Sequence, residues 1–86
     1  MTYSVILTKG FLKQFRRLPR DAQTRIKRRV EELAVNPYLG LKLSGQLEGL
    51  WKDRVGQYRI IYEIDETSRR IIFHDADLRK RVYDYP

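Results

Sequence analysis

The hydrophobic period of this chain changes once, at Asn36-Pro37, and that change restricts the fold more than any other feature. Before it, apolar residues recur three and four apart, as on one face of a helix; after it they alternate, as in a half-buried strand. Ala22, Ile26, Val30, Leu33 and Ala34 make one helical stripe, with Arg25, Lys27, Arg28 and Arg29 mostly off it. Phe11, Leu12, Phe15 and Leu18 predict a shorter helix ahead of it. Thr8 suits that helix's N-cap, and Pro19 ends it and opens the next. Tyr3 to Thr8 is a short β-rich run. Beyond Pro37, strands are expected over Leu50 to Val55, Tyr58 to Asp65 and Arg70 to Ala76. Gly56-Gln57 fits a two-residue hairpin turn, and Glu66-Thr67-Ser68 a second turn. The expected architecture is α+β: an N-terminal strand, a helical hairpin, then an antiparallel sheet of about four strands. Two helices can cover only one face of it. Eighty-six residues make one domain, spanning 1–86.

The residue inventory narrows the chemistry. With no cysteine, disulfides, thiolate zinc sites and cysteine nucleophiles are excluded. No apolar run is long enough for a membrane span and the N-terminus does not read as a secretory signal, so the expected location is cytoplasmic. Phosphate-binding glycine loops, a dinucleotide fingerprint and HExxH are all missing, and no cofactor is expected. The formal charge is +7, and residues 1–36 hold nine basic against three acidic side chains. That charge suits a polyanionic partner, and it equally suits a soluble basic domain without one.

Three groups of residues could carry chemistry. Lys52 and Arg54 are two apart on one strand and share a face. If Val55 pairs with Tyr58, Arg54 lies opposite Arg59 and three cations meet there, with Arg59 taken to face solvent. Like charges directly opposite destabilise a sheet, so either an anion is received or the long stems reach out to water. The tail, Arg79 to Tyr83, combines guanidinium forks with a phenol; it is either a phosphate and base contact or a frayed basic end. His74, the single histidine, lies near Asp75 and Asp77 but alternation sets neighbours on opposite faces, so a structural histidine is expected and no metal site. Trp51 reads as core rather than a base-stacking platform, and Tyr58 and Tyr62 as core or groove lining. A cation-rich site without metal ligands points to phosphate-centred chemistry such as RNA transesterification, in which the protein positions the ribose and stabilises charge.

The segments YSVILTKGFLKQFRRLP (Tyr3–Pro19), KLSGQLEGLWKDRVGQYRIIYEI (Lys42–Ile64) and LRKRVYDY (Leu78–Tyr85), with the Asn36-Pro37 helix end between them, resemble the RelE/ParE toxin superfamily of type II toxin–antitoxin systems. The resemblance implies a RelE-like fold with a curved sheet. It also implies a cognate antitoxin, operator DNA bound only through the antitoxin complex, and no membrane. Of the two activities in the superfamily, the RelE-like one is a ribosome-dependent endoribonuclease that cuts mRNA in the ribosomal A site to a 2′,3′-cyclic phosphate. The ParE-like one inhibits DNA gyrase.

Lys52, Arg54, Arg59, Arg79 and Tyr83 match the nuclease pattern. By that likeness Arg59 binds the scissile phosphate, Arg79 assists, Arg81 adds a tail cation and Tyr83 stacks on a base or takes the 2′-hydroxyl proton. Lys52 and Arg54 hold the backbone, while Arg25, Lys27 and Arg28 grip ribosomal RNA. Leu78 stands where many relatives have histidine, and Asp77 adds a carboxylate beside the set. Alternatives on the same fold are a gyrase-directed toxin and an inactive relative that binds only antitoxin or nucleic acid.

Overall fold

The computed structural model describes residues 2–78. The elements run β1 (Ser4–Leu7), α1 (Lys9–Arg16), α2 (Arg20–Val35), β2 (Leu41–Lys42), β3 (Leu50–Val55), β4 (Tyr58–Asp65) and β5 (Arg70–Leu78). Thr8 caps α1, its hydroxyl accepting from the Phe11 amide at 3.2 Å. The β3–β4 turn rests on Gly56, whose φ of 60° is the left-handed value a two-residue hairpin takes at its first central position.

The sheet has five strands in the order β1-β5-β4-β3-β2. Two details correct the expectation of an antiparallel sheet of about four strands. First, β1 lies parallel to β5, with Val5 beside Ile71 and Leu7 beside Phe73. The helical hairpin carries the chain from β1 at one edge to β2 at the other, and the antiparallel run β2 to β5 then returns to lie beside β1 in the same direction. Second, Leu41 and Lys42 pair with Lys52 and Trp51 as an added edge strand. Two residues carry no alternation, so that strand was invisible to a periodicity argument.

Alternation sorts the strands into two faces. Ile60, Tyr62, Ile71, Phe73 and Ala76 turn toward the helices and close over Phe11, Ile26, Val30 and Leu33. Phe73 and Phe11 rings sit 5.7 Å apart, and Phe73 and Tyr62 5.6 Å apart. Trp51 stacks on Tyr62 and meets Tyr38 edge-on, so it packs, half-buried, against the edge of the core. The buried Tyr62 hydroxyl donates to the Pro37 carbonyl at 2.7 Å. Gly40 makes this approach possible, because a Cβ there would overlap the Tyr62 hydroxyl and come within 2.6 Å of the Lys52 carbonyl.

Where β1 ends, α1 takes over the exposed flank of β5. The Thr8 hydroxyl donates to the Phe73 carbonyl at 3.0 Å, and Gln14 Oε1 accepts from the Ala76 amide at 3.0 Å. Side chains thus satisfy edge groups that would otherwise invite another strand.

Candidate functional site

The β3–β4 register pairs Val55 with Tyr58 and therefore Arg54 with Arg59, while Lys52 lies opposite Ile61. All three cations occupy the face away from the helices. They line one shallow depression of about 210 Å³, closed on the β2 side by Leu39 and Leu41. On the other flank Arg59 is the partner of Asp77, so a carboxylate strand position adjoins the cations.

Arg59 is not the solvent-facing arginine that alternation alone suggests: it is 7% exposed, and its neighbour on that face, Ile61, is 1% exposed. This corrects the view of an open sheet face studded with mobile cations. Arg54 is exposed and Lys52 half-buried, so the depression grades from a buried guanidinium to more accessible cations. A buried guanidinium is pre-organised, its rotamers having been restricted by packing before any anion arrives.

The helix cations lie elsewhere. Arg25, Lys27 and Arg28 are all exposed on α2. Arg25 forms a 3.6 Å ion pair with Asp21 and reaches over the hairpin tip, where its Nη1 would lie 3.2 Å from a Cβ on Gly56. Lys27 instead borders an apolar groove with Phe11, Leu12, Phe15 and Val30. The three therefore do not form one patch with Lys52, Arg54 and Arg59. Arg79, Arg81 and Tyr83 lie outside the described residues. The strand leading to them ends at Leu78, the partner of Tyr58, at the Arg59 end of the sheet.

One functional contact escaped the sequence argument. Arg29, grouped above with the outward cations, turns inward and grips Asp53 on β3, with Nε on Oδ2 and Nη2 on Oδ1 at 3.3 Å. Its Nη1 also donates to Glu32 at 3.0 Å. These carboxylates hold the guanidinium's proton more tightly than in a free arginine. The signal was present: Asp53 stands between Lys52 and Arg54, so period two sends it to the helix side, where a carboxylate needs a cation. Tyr62, beside Asp53, has its phenol pushed up to about 12, by burial first and the Asp53 charge second. It is a fixed donor, not a proton carrier.

His74 is the extra residue of a β-bulge, since Ile61 pairs with Asp75 and Tyr62 with Phe73. Its Nε2 lies 2.7 Å from Glu63 Oε1. Among the described residues no group of three or more His, Cys, Asp or Glu could hold a metal ion. No described helix is long and apolar enough to cross a membrane. A second cluster joins the start of the chain to the β4–β5 turn. Glu66 accepts from the Tyr3 hydroxyl at 2.6 Å and from Tyr38, and pairs with Arg69 at 3.5 Å. Arg69 takes φ of 54° there and lies over the Tyr3 ring.

Residues 5–74 match the family model for the ParE toxin of type II toxin–antitoxin systems. No curated protein matches the chain. Among solved structures, the RelB–RelE antitoxin–toxin complex from Methanococcus jannaschii contains a chain with 31% identity and a TM-score of 0.71, covering 93% of this chain and 96% of that one. The archaeal RelE–RelB complex from Pyrococcus horikoshii gives 27% identity and 0.76, covering 94% and 99%. The toxin–antitoxin complex RelBE2 from Mycobacterium tuberculosis gives 25% identity and 0.86, covering 92% and 93%. The chain belongs to the family of ParE toxins of type II toxin–antitoxin systems, within the RelE/ParE superfamily.

Proposed function

We propose that this toxin is a ribosome-dependent endoribonuclease that cuts mRNA in the A site, and that a cognate antitoxin neutralises it. The observation that carries the nuclease assignment is the pairing of Arg54 with Arg59, with Lys52 on the same face of the same depression. A phosphodiester lying in that depression would meet cations from two adjacent strands at once, and guanidinium groups match phosphate geometry. In the proposed step the ribose 2′-oxygen attacks phosphorus and a P–O2′ bond forms. The P–O5′ bond breaks, and the 5′-oxygen leaves with a proton. Charge accumulates on the non-bridging oxygens, where the fixed Arg59 guanidinium stabilises it more than in the ground state. Lys52 and Arg54 hold the flanking backbone. Arg79 and Arg81 add charge from the tail, and Tyr83 stacks on a base or takes the 2′-hydroxyl proton.

Arg25 and Arg28 would hold ribosomal RNA at a distance from the cut, as separate surfaces on a chain of charge +7. The same charge suits an acidic antitoxin segment that folds as it wraps the toxin.

Induced expression in a sensitive host, followed by mapping of mRNA 5′ ends, tests the activity. Cuts inside translated codons, reproduced on purified programmed ribosomes, are expected. Intact messages with a DNA-damage response would assign the toxin to gyrase instead, and no growth defect would mark an inactive relative.

A further inference from the structure

The cation depression has a second wall, which the nuclease assignment leaves without a use. On the β2 side it is closed by Leu39 and Leu41, which are 49% and 65% exposed. A leucine left in water forgoes the stabilisation that burial gives it. Scattered exposed leucines are ordinary. These two differ because they share one depression with Lys52, Arg54 and Arg59, and because the backbone holds both in place. Leu41 pairs with Lys52 across β2 and β3, so its side chain lies on the Lys52 face, away from the helices. The Leu43 amide donates to the Leu50 carbonyl at 2.9 Å and extends that short ladder. Leu39 ends a single tight helical turn, Pro37–Leu39. Asn36 caps the turn, its Oδ1 accepting from the Tyr38 amide at 3.2 Å. The buried Tyr62 hydroxyl ties the same turn to the core through the Pro37 carbonyl at 2.7 Å. Two apolar side chains are therefore exposed yet anchored beside the cations.

We infer that Leu39 and Leu41 are positioning residues, a wall on which the ribose rests when its phosphate lies on the cations. A sugar-phosphate unit has the same two-part character as the depression. Its phosphate is anionic and takes guanidinium forks. The C–H faces of its sugar gain by leaving water against an aliphatic surface. A free phosphate would use the cations and leave the wall idle, so the two walls together fit a nucleotide better than a bare anion. Leucine side chains carry neither donor nor acceptor, so the contact reads no base and is indifferent to sequence. What it supplies is orientation. The 2′-oxygen attacks productively only when it stands in line with the leaving 5′-oxygen. A sugar confined between cations on one side and a fixed wall on the other visits fewer misaligned poses.

The inference rests on the nuclease reading, and two arms of one test separate their failures. In the first, cleavage is measured on programmed ribosomes. Leu41→Ser should leave the urea midpoint unchanged, because an exposed side chain contributes little to stability. Its kcat should fall about tenfold, the rate equivalent of one lost leucine contact. The KM for ribosomes should stay as it was, and the loss should be the same for every A-site codon tried. Leu41→Met keeps an aliphatic wall and should recover most of the rate, and Leu39→Ser should behave as Leu41→Ser. In the second arm the full chain is titrated with 2′-O-methyl dinucleotides, and separately with inorganic phosphate, while leucine methyl resonances are followed by NMR. The dinucleotides should shift the Leu39 and Leu41 methyls to a similar degree whichever base they carry, and phosphate should leave those methyls in place. Wild-type cleavage by a folded Leu41→Ser, or leucine methyls unmoved by the dinucleotides, would overturn the wall and keep the nuclease. A Glu-Leu-Glu peptide that moved the same methyls as strongly would overturn it too, by assigning the wall to a protein partner. Methyl shifts with dinucleotide in a wild-type chain that cuts no message would keep the sugar contact and remove the nuclease.

Discussion

Removing the two partners of the Arg29–Asp53 pair should have unequal effects. Arg29 is 28% exposed and Asp53 only 11% exposed at the side chain, and Arg29 has a second partner in Glu32. In Arg29→Ala the Asp53 carboxylate loses its guanidinium inside the α2–β3 interface, and an uncompensated buried charge costs about 3 kcal/mol or more. In Asp53→Ala the arginine keeps Glu32 and some water, so the loss is nearer the roughly 1.5 kcal/mol of one charge-assisted hydrogen bond. The double variant lacks the stranded carboxylate and should be more stable than Arg29→Ala alone. Urea denaturation followed by Trp51 fluorescence measures all three, since that ring stacks on Tyr62 in the same interface. With a urea dependence of about 1 kcal/mol per molar, the midpoint should drop by about 3 M for Arg29→Ala and about 1.5 M for Asp53→Ala. For a chain whose total stability is about 4 to 13 kcal/mol, the first is a large fraction. A double variant less stable than Arg29→Ala, or an Asp53→Ala as damaged as Arg29→Ala, would refute the picture of a carboxylate that depends on its cation.

Other expectations follow from single observations. Arg59→Lys keeps the charge but loses the fork, and mRNA cleavage on programmed ribosomes should fall by about 100-fold, the effect of losing one charge-stabilising donor. Arg59→Ala should lose at least as much and, because the residue is buried, also lower the urea midpoint; an active Arg59→Ala would remove it from the site. Charge reversal of Arg25 and Arg28 should weaken ribosome association and flatten its salt dependence in a sedimentation assay. Gly40→Ala should cost about 1 to 3 kcal/mol by overpacking against Tyr62, read as a lowered melting temperature. Glu66, through its bonds from Tyr3 and Tyr38, and Asp65, through Arg70, titrate below their ordinary values of 4.5 and 3.8. A depressed carboxylate stabilises the fold while ionised, so stability should fall as pH drops through and below that range. Asp75, raised by burial, works the other way and relieves strain when it protonates. Glu66→Gln should flatten the acid limb of the stability–pH curve.

Much of this fold was legible because local signals and tertiary packing agree. The helical stripe of Ala22, Ile26, Val30, Leu33 and Ala34 predicted all five as core, and all five are buried. The Gly56-Gln57 turn was legible, and the Val55–Tyr58 pairing taken there as a condition is the one observed, with Arg54 opposite Arg59. The misses have a common cause, which is that they depend on what lies across space. The parallel β1–β5 pairing joins residues more than sixty positions apart, and no local pattern encodes it. Burial of Arg59 could not be read from alternation, which assigns a side but not a depth. The bulge at His74 shifts the register by one residue, so the placement of Asp75 and Asp77 opposite Ile61 and Arg59 needed coordinates.

The short strand β3 shows why the site and the fold cannot be tuned separately. Its run Trp51, Lys52, Asp53, Arg54 alternates core, site, core, site. Trp51 and Asp53 tie the strand to Tyr62 and Arg29 on the helix side, and Lys52 and Arg54 face the depression on the other. Because side chains on a strand have a period of two, a slip of one residue would exchange the sets, burying two cations and exposing the indole. The Arg29 grip on Asp53 opposes that slip directly, since it accepts only a carboxylate at that register. The same pair that stabilises the α2–β3 interface therefore also sets which side the two cations of β3 occupy. Arg29→Ala should then weaken cleavage through loss of register control even at temperatures where the protein stays folded, whereas Gly40→Ala, which leaves the pair intact, should lose activity only in step with its unfolding.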